Sequence, residues 1–281
     1  MKTSAFAYYR AHSVDEALRL HAVAGENARW LAGGQSLMAA LNFRLDEPSA
    51  LIDVSRIDAL RGVTLAGPTV RIGAMTRHVE VASDPIIAAH LPLIHQAMPH
   101  VAHPAIRNRG TFGGSVALAD PAAEMPACVL ALGGTMELVG PNGVRRVAAD
   151  DFFLGSYETA LQPGELLAAV HLPVPAQGAR HGFAELARRN GDYAMAGLCL
   201  MLAGGSARVV FFGLSDRPVR ARAAEAAIEA GAAPRDVAAL ATEGLAVFGD
   251  LNAAEPTKRH YAAVLLRREL ERLTGHKDHA A

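Results

Sequence analysis

Two diglycine turns constrain this chain more than any other feature. Residues 30–43 read WLAGGQSLMAALNF: an apolar run reaches Gly33-Gly34, passes Gln35-Ser36 and re-enters an apolar run with helical spacing. Residues 109–121 read RGTFGGSVALADP, with Gly113-Gly114 followed by Ser115. Glycine loses more backbone freedom on folding than any other residue. A pair at the exit of a buried strand is therefore expected where something approaches the main chain closely. Consecutive amides in such a turn can form a concave nest for anionic oxygens. The hydroxyls of Ser36, Thr111 and Ser115 can add donors, and a helix beginning after Ser36 would point its N-terminus the same way. No lysine lies near either turn, so an anion there has to be held by main chain and geometry. Neither turn has the G-x-G-x-x-G or G-x-x-x-x-G-K-[ST] spacing, which argues against a Rossmann domain and a P-loop.

The rest of the chain supplies a large core around these turns. Of 281 residues, 51% are apolar and 20% charged, enough for one large domain or two. The formal net charge of −1 gives no reason to expect nucleic acid as a partner. No apolar run approaches the roughly 20 residues of a spanning helix, so no integral membrane segment is expected. The opening MKTSAFAYYRAHS lacks the apolar centre of a signal peptide, and a cytoplasmic protein is expected. Cys128 and Cys199 sit in apolar runs and read as buried free thiols. Two cysteines are too few for the usual four-thiolate ligation of an iron–sulfur cluster.

Periodicity divides the chain. Ser13 and Glu16 form a capping box before a helix over 14–23. Strands at 28–32 and 50–55 flank the helix LMAALNF, the alternation of a small parallel sheet. Further on, TVRIGAM (69–75) reads as a strand followed by a helix from about Thr76, and PLIHQAM as a helix. The run 135–149 reads as a hairpin through Pro-Asn-Gly, and 165–173 as one more strand. The Pro/Gly-rich stretch 173–182 marks a domain boundary. Beyond it come three strands (FAELARR, AMAGLCLML, ARVVFFGLS), then helices after Pro218, among them RDVAALATEGLAVFG. A last helix carries Ala262, Leu266, Leu270 and Leu273 on one stripe. The terminal GHKDHAA reads as a frayed tail.

The pair AGGQSL and RNRGTFGGSVALADPAAEMPA resembles the FAD-binding subunit of the molybdenum hydroxylases, the family of the carbon monoxide dehydrogenase medium chain and the xanthine dehydrogenase flavin domain. The stretches FAYYRAHSVDEAL, IGAMTRH and RRNGDYAMAG fit the same family, and the resemblance covers nearly the whole chain. It implies an α+β, two-lobed, vanillyl-alcohol-oxidase/PCMH-like FAD domain over 1–176, with lobes of about 1–56 and 57–176. A C-terminal domain over 177–281, with a three-stranded antiparallel sheet plus helices, would follow. By the same resemblance, Ala32 to Ser36 and Thr111 to Ser115 hold the diphosphate, Glu124 the adenosine ribose, and Val101, Leu166 and Leu167 surround the adenine. Tyr193 would lie near the isoalloxazine, and Leu31, Leu37, Gly110, Ala117 and Ala123 complete the contact set. No residue is expected to be catalytic or to bind a metal. The stretch 28–37 holds no histidine, so FAD is expected to be non-covalent.

The resemblance also implies partners: a large subunit with the molybdenum cofactor and a small subunit with [2Fe-2S] clusters, as a heterotrimer or a dimer of heterotrimers. Electrons would pass from the clusters to FAD and on to an external acceptor, while substrate is oxidised on another polypeptide. A self-contained flavin oxidase would instead turn over a substrate alone, and a nucleotide-binding scaffold would be colourless. Several residues have structural readings beside these. Asp120-Pro121 can be an N-cap with proline at the first helical position. Glu124 can be a solvated first-turn acid. Tyr193 can pack between domains, His78 can order a loop, and Arg107 and Arg109 can face solvent or a partner. His95, His100 and His103 lack a thiol or carboxylate to complete a metal set.

Overall fold

The computed structural model describes residues 2–275; all of the expected frayed tail beyond Gly275 lies outside them. Among the described residues three larger sheets follow one another along the chain, with a two-stranded ribbon of Phe153–Gly155 and Glu158–Thr159 beside them. The first is parallel, with strands Ala7–Arg10, Ala50–Asp53 and Ala28–Leu31 side by side and Ala50–Asp53 in the centre. Helices Val14–Ala24 and Leu37–Phe43 make its crossovers. Ser13 accepts from the Glu16 amide, and the Glu16 carboxylate reaches back to the His12 amide, one residue before the cap.

The second sheet is antiparallel and five-stranded. Its order is Val63–Ala66, Thr69–Gly73, Leu166–Pro173, Thr135–Gly140 and Gly143–Ala148. Short helices cover one side, and Glu124–Ala131 is buried along its whole length. Trp30 joins the two lobes: its indole donates to the Glu165 carbonyl at 2.8 Å and stacks on His21 at 4.7 Å.

The third sheet follows the connection 174–179, with strands Arg180–Ala187, Ala194–Ala203, Ser206–Phe212 and Val219–Arg220. The expected sheet of three strands is thus one of four. Val219–Arg220 pairs with Val210 and Phe211, and two residues are too few to show a period. Both faces of this sheet are covered, which explains its near-continuous apolar runs. Cys199, Val210 and Phe212 join the core of the second lobe. Leu198, Leu200, Val209 and Phe211, facing the other way, form a second core with the helices. Both thiols are free, and Cys128 meets Cys199 at 3.6 Å across the first of these contacts.

Two helix assignments shift. The helix expected from Thr76 starts at His78, because the Thr76 carbonyl is taken by the Phe112 amide. Only Pro234–Ala239 of the Ala-rich 235–249 segment is helical; Gly244, at φ +71°, takes a conformation no helix contains. The last helix, Glu255–Thr274, buries Ala262, Leu266 and Leu270 as its stripe requires, with Leu273 half-buried beside them. Leu266→Ala is expected to cost about 2–5 kcal/mol, because the cavity opens in a fully enclosed core. A thermal melt should show the loss, and an unchanged midpoint would contradict this packing.

Candidate functional site

The two diglycine turns touch. A Cβ on Gly33 would stand 2.2 Å from the Arg109 carbonyl oxygen and 2.9 Å from the Gly110 Cα. One on Gly113 would stand 2.3 Å from the Ala74 Cβ, so the second turn presses equally hard on the loop after Thr69–Gly73. Gly34, at φ +70°, bends the first turn away from its strand. The turns therefore meet for a steric reason, and a cleft of about 780 Å³ opens where they join.

Every residue expected to contact the cofactor lines this cleft except Leu31. Leu31 ends its strand beneath the first turn, with Cδ1 3.3 Å from the position of a Gly34 Cβ. The structure thus brings together Ala32, Gly33, Gly34, Gln35, Ser36 and Leu37 with Gly110, Thr111, Gly113, Gly114, Ser115 and Ala117. Val101, Ala123, Glu124, Leu166, Leu167 and Tyr193 complete the walls. The third sheet contributes through the turn Gly191–Tyr193, where Tyr193 is 69% exposed at the rim. That turn lies against the loop Val101–His103: a Gly191 Cβ would stand 2.3 Å from the Ala102 carbonyl oxygen. Arg107 is half-buried, and its Nη1 donates to the Val101 and Ala102 carbonyls at 2.8 and 2.9 Å.

The two turns differ in what they offer. Among the described residues, the amides of Gly34, Gln35, Ser36 and Leu37 have no intramolecular acceptor, and the Ser36 side chain makes no cap bond. In the second turn the amides from Phe112 to Ser115 are taken, and among the described residues only that of Thr111 is open. Phe112 donates to Thr76, Gly113 to Ala74, Ser115 to the Thr111 carbonyl, and Gly114 to the Thr111 hydroxyl. The open amides thus cluster in the first turn, and the second sets Thr111, which caps the helix Phe112–Leu118, beside them.

Glu124 opens the helix Glu124–Ala131 but is 8% exposed, so the solvated reading fails. Burial above all, then the charge of Asp120, pushes its carboxyl up to about 7. Asp120 is no helix cap, since the helix begins four residues later. It accepts from the Ala122 amide at 2.9 Å and from the Tyr157 hydroxyl at 3.3 Å. Tyr157 was not foreseen: it lies between two very short strands and is held at φ +58°, an unusual conformation for tyrosine. Glu185, behind the cleft on the third sheet, is pushed up to about 8 by burial first and Glu124 second, and its Oε2 has no hydrogen-bond partner. His100 Nδ1 is 3.9 Å away.

Residues 4–175 match the family described as the FAD binding domain in molybdopterin dehydrogenase. The chain belongs to that family. It is 34% identical over 288 residues to the 6-hydroxypseudooxynicotine dehydrogenase complex subunit alpha of Paenarthrobacter nicotinovorans, covering 100% of this chain and 97% of that one. It is 38% identical over 282 residues to the carbon monoxide dehydrogenase medium chain of Afipia carboxidovorans, covering 97% and 98%. Among solved structures, the reconstituted CO dehydrogenase from Oligotropha carboxidovorans superposes with a TM-score of 0.93 at 37% identity, over 99% of this chain and 100% of that one. The two-lobed α+β FAD fold and the place of the chain among oxidoreductase subunits follow. The site suits the cofactor of the family: open amides for a diphosphate, a buried carboxylate for hydroxyls, apolar walls for rings, and a volume within the roughly 300–1,000 Å³ of cofactor clefts.

The buried acids make stability depend on pH. A carboxyl raised above its free value of 4.5 contributes stability that is complete below that value and is lost as pH rises through the folded one. With Glu124 at about 7 and Glu185 at about 8, the FAD-free protein is expected to melt lower at about pH 9 than at about pH 6. Above its ordinary range the facing His100 is neutral and offers Glu185 no compensation, because burial lowers its pKa further. Glu185→Gln should flatten the trend and melt several degrees above the parent at the alkaline end. A scanning-fluorimetry series with the same slope in both proteins would refute the burial argument.

Proposed function

We propose that the chain is the flavin-carrying electron-transfer subunit of a molybdenum-dependent hydroxylase or dehydrogenase complex. Membership of the FAD-binding family supports the class. The observation that carries the site is the contact of Gly33 with Arg109 and Gly110, which sets the four open amides of 34–37 opposite Thr111. In this reading those amides and the Ser36 and Thr111 hydroxyls hold the diphosphate without help from lysine. Glu124 accepts from the adenosine ribose hydroxyls. Val101, Leu166 and Leu167 enclose the adenine, and Tyr193 flanks the isoalloxazine at the rim. FAD, when bound, takes up electrons and hands them on. The protein's part is to position the ring system, keep the phosphates dry and leave one edge accessible.

The attachment is non-covalent, since the first turn offers no histidine. The partners are a large subunit with the molybdenum cofactor and a small [2Fe-2S] subunit, in a heterotrimer that can pair. The described residues hold no cluster of histidine, cysteine and carboxylate that could bind a metal. No described helix is long and apolar enough to cross a membrane. The relatives that act on carbon monoxide and on 6-hydroxypseudooxynicotine show how far substrate varies while this subunit keeps its form.

Purified chain supplied with FAD is expected to be yellow, with one flavin per chain released unmodified by denaturation, and to co-purify with cysteine-rich and molybdenum-containing chains. Glu124→Ala should weaken FAD about tenfold or more, as loss of a hydrogen-bond acceptor predicts. A colourless, well-folded protein at saturating FAD would overturn the proposal. Turnover of a small organic substrate by the isolated chain would favour a self-contained oxidase instead.

A further inference from the structure

One side chain of the cleft is not among those the family resemblance implies. His78 begins the helix His78–Ser83, is 4% exposed, and lines the cleft beside the second turn. Its amide donates to the Gly110 carbonyl at 3.0 Å, and Arg77 bridges to Thr111, so the residue is tied to the turn by main chain. The Cδ2–Nε2 edge of the ring faces Gly110: a Cβ there would stand 3.0 Å from Cδ2 and 3.6 Å from Nε2. Neither ring nitrogen has a hydrogen-bond partner among the described residues, and Nδ1 is sealed from solvent as well. A buried imidazole with no partner is costly unless something outside the chain completes it.

The two nitrogens are not equivalent. A proton on Nδ1 would be an orphaned buried donor, the rarest kind of unsatisfied group, whereas a bare lone pair is better tolerated. The proton therefore sits on Nε2, the edge turned toward the glycine turn. We propose that His78 is a direct hydrogen-bond donor, through Nε2–H, to the diphosphate of the nucleotide bound in this cleft, an inference that rests on the FAD reading above. Burial, and then the charge of Arg107, holds the ring neutral down to about 4, so it supplies a dipole and not a counter-charge. The second turn has spent its amides from Phe112 to Ser115, and His78 adds a donor on that side beside the Thr111 amide. Gly110 makes this possible, because any side chain there would press on the imidazole edge.

Binding of FAD, ADP and riboflavin to the FAD-free chain separates this role from space filling. His78→Leu keeps bulk and loses the donor; His78→Gln places an amide N–H near the Nε2 position. The Leu variant should bind FAD and ADP about 10- to 100-fold more weakly, with riboflavin unchanged, and the Gln variant should come within about threefold of the parent. In the parent, nitrogen NMR should show a protonated Nε2 that shifts when ADP is added. Equal ADP affinity in parent and Leu variant, an equal loss in the Leu and Gln variants, or an Nε2 without a proton overturns the inference. Should the Leu variant not fold, the NMR titration decides by itself: an Nε2 signal unmoved by ADP overturns it. Failure of the parent to bind FAD at all would instead remove the underlying reading.

Discussion

The contact between Gly33 and the Arg109–Gly110 peptide is the constraint on which the rest depends. A parallel lobe and an antiparallel lobe have unrelated geometries, and nothing in their sheets sets how they meet. The meeting point is set by main chain against main chain at a distance that excludes even one methyl group. Within the second lobe, Gly113 is pressed as closely on Ala74, which fixes the second turn. Together they place the start of Leu37–Phe43 opposite the start of Phe112–Leu118, and the cleft between them is a consequence of that packing. Trp30, reaching from the first sheet to the Glu165 carbonyl, adds a second tie between the lobes.

The same contact explains why the turns divide their work. The second is stitched to its surroundings by all its amides from Phe112 to Ser115, and a turn so tied cannot adapt. It serves as the surface against which the first is pressed. The first keeps its amides free; the Gln35 side chain donates to the Gly33 carbonyl at 3.0 Å, and the Gly34 carbonyl accepts from the Met38 amide. A free amide cluster is costly when buried and dry, and it is tolerated here because the cleft gives it access to a ligand.

Local rules made most elements legible. The capping box at Ser13, the hairpin at Pro141-Asn142, the apolar strand runs of the third sheet and the stripe of the last helix all rest on short-range patterns, and the structure follows them. What short-range rules cannot carry is contact between distant segments. Glu185 looks like an ordinary strand acid until His100 and Phe183 enclose it. Tyr157 has no pattern around it, because its position depends on Ala119 and Asp120. The diglycine turns announced a close approach, but which chain segment approached, and which turn would keep its amides, depended on packing far along the sequence. Val219–Arg220 exists as a strand only because Val210 and Phe211 are there to pair with it.

The third sheet belongs to this argument as more than an appendage. Its inner face is part of the core of the second lobe, with Cys199 against Cys128 and Phe212 lying over Gly197. Its turn at Gly191 leans on Ala102, and Arg107 clamps that loop from the other side. The wall that carries Tyr193 is thus held by the packing that buries Glu185, and the same sheet sets both the rim of the cleft and the dryness behind Glu124. A site that is to bind a dianionic group without a lysine, as proposed for this cleft, would have little Coulomb attraction to draw on. Its affinity has to come from donors already in place before the ligand arrives. That requirement accounts for close-packed glycines, a clamped loop and a shared core surrounding a single open turn.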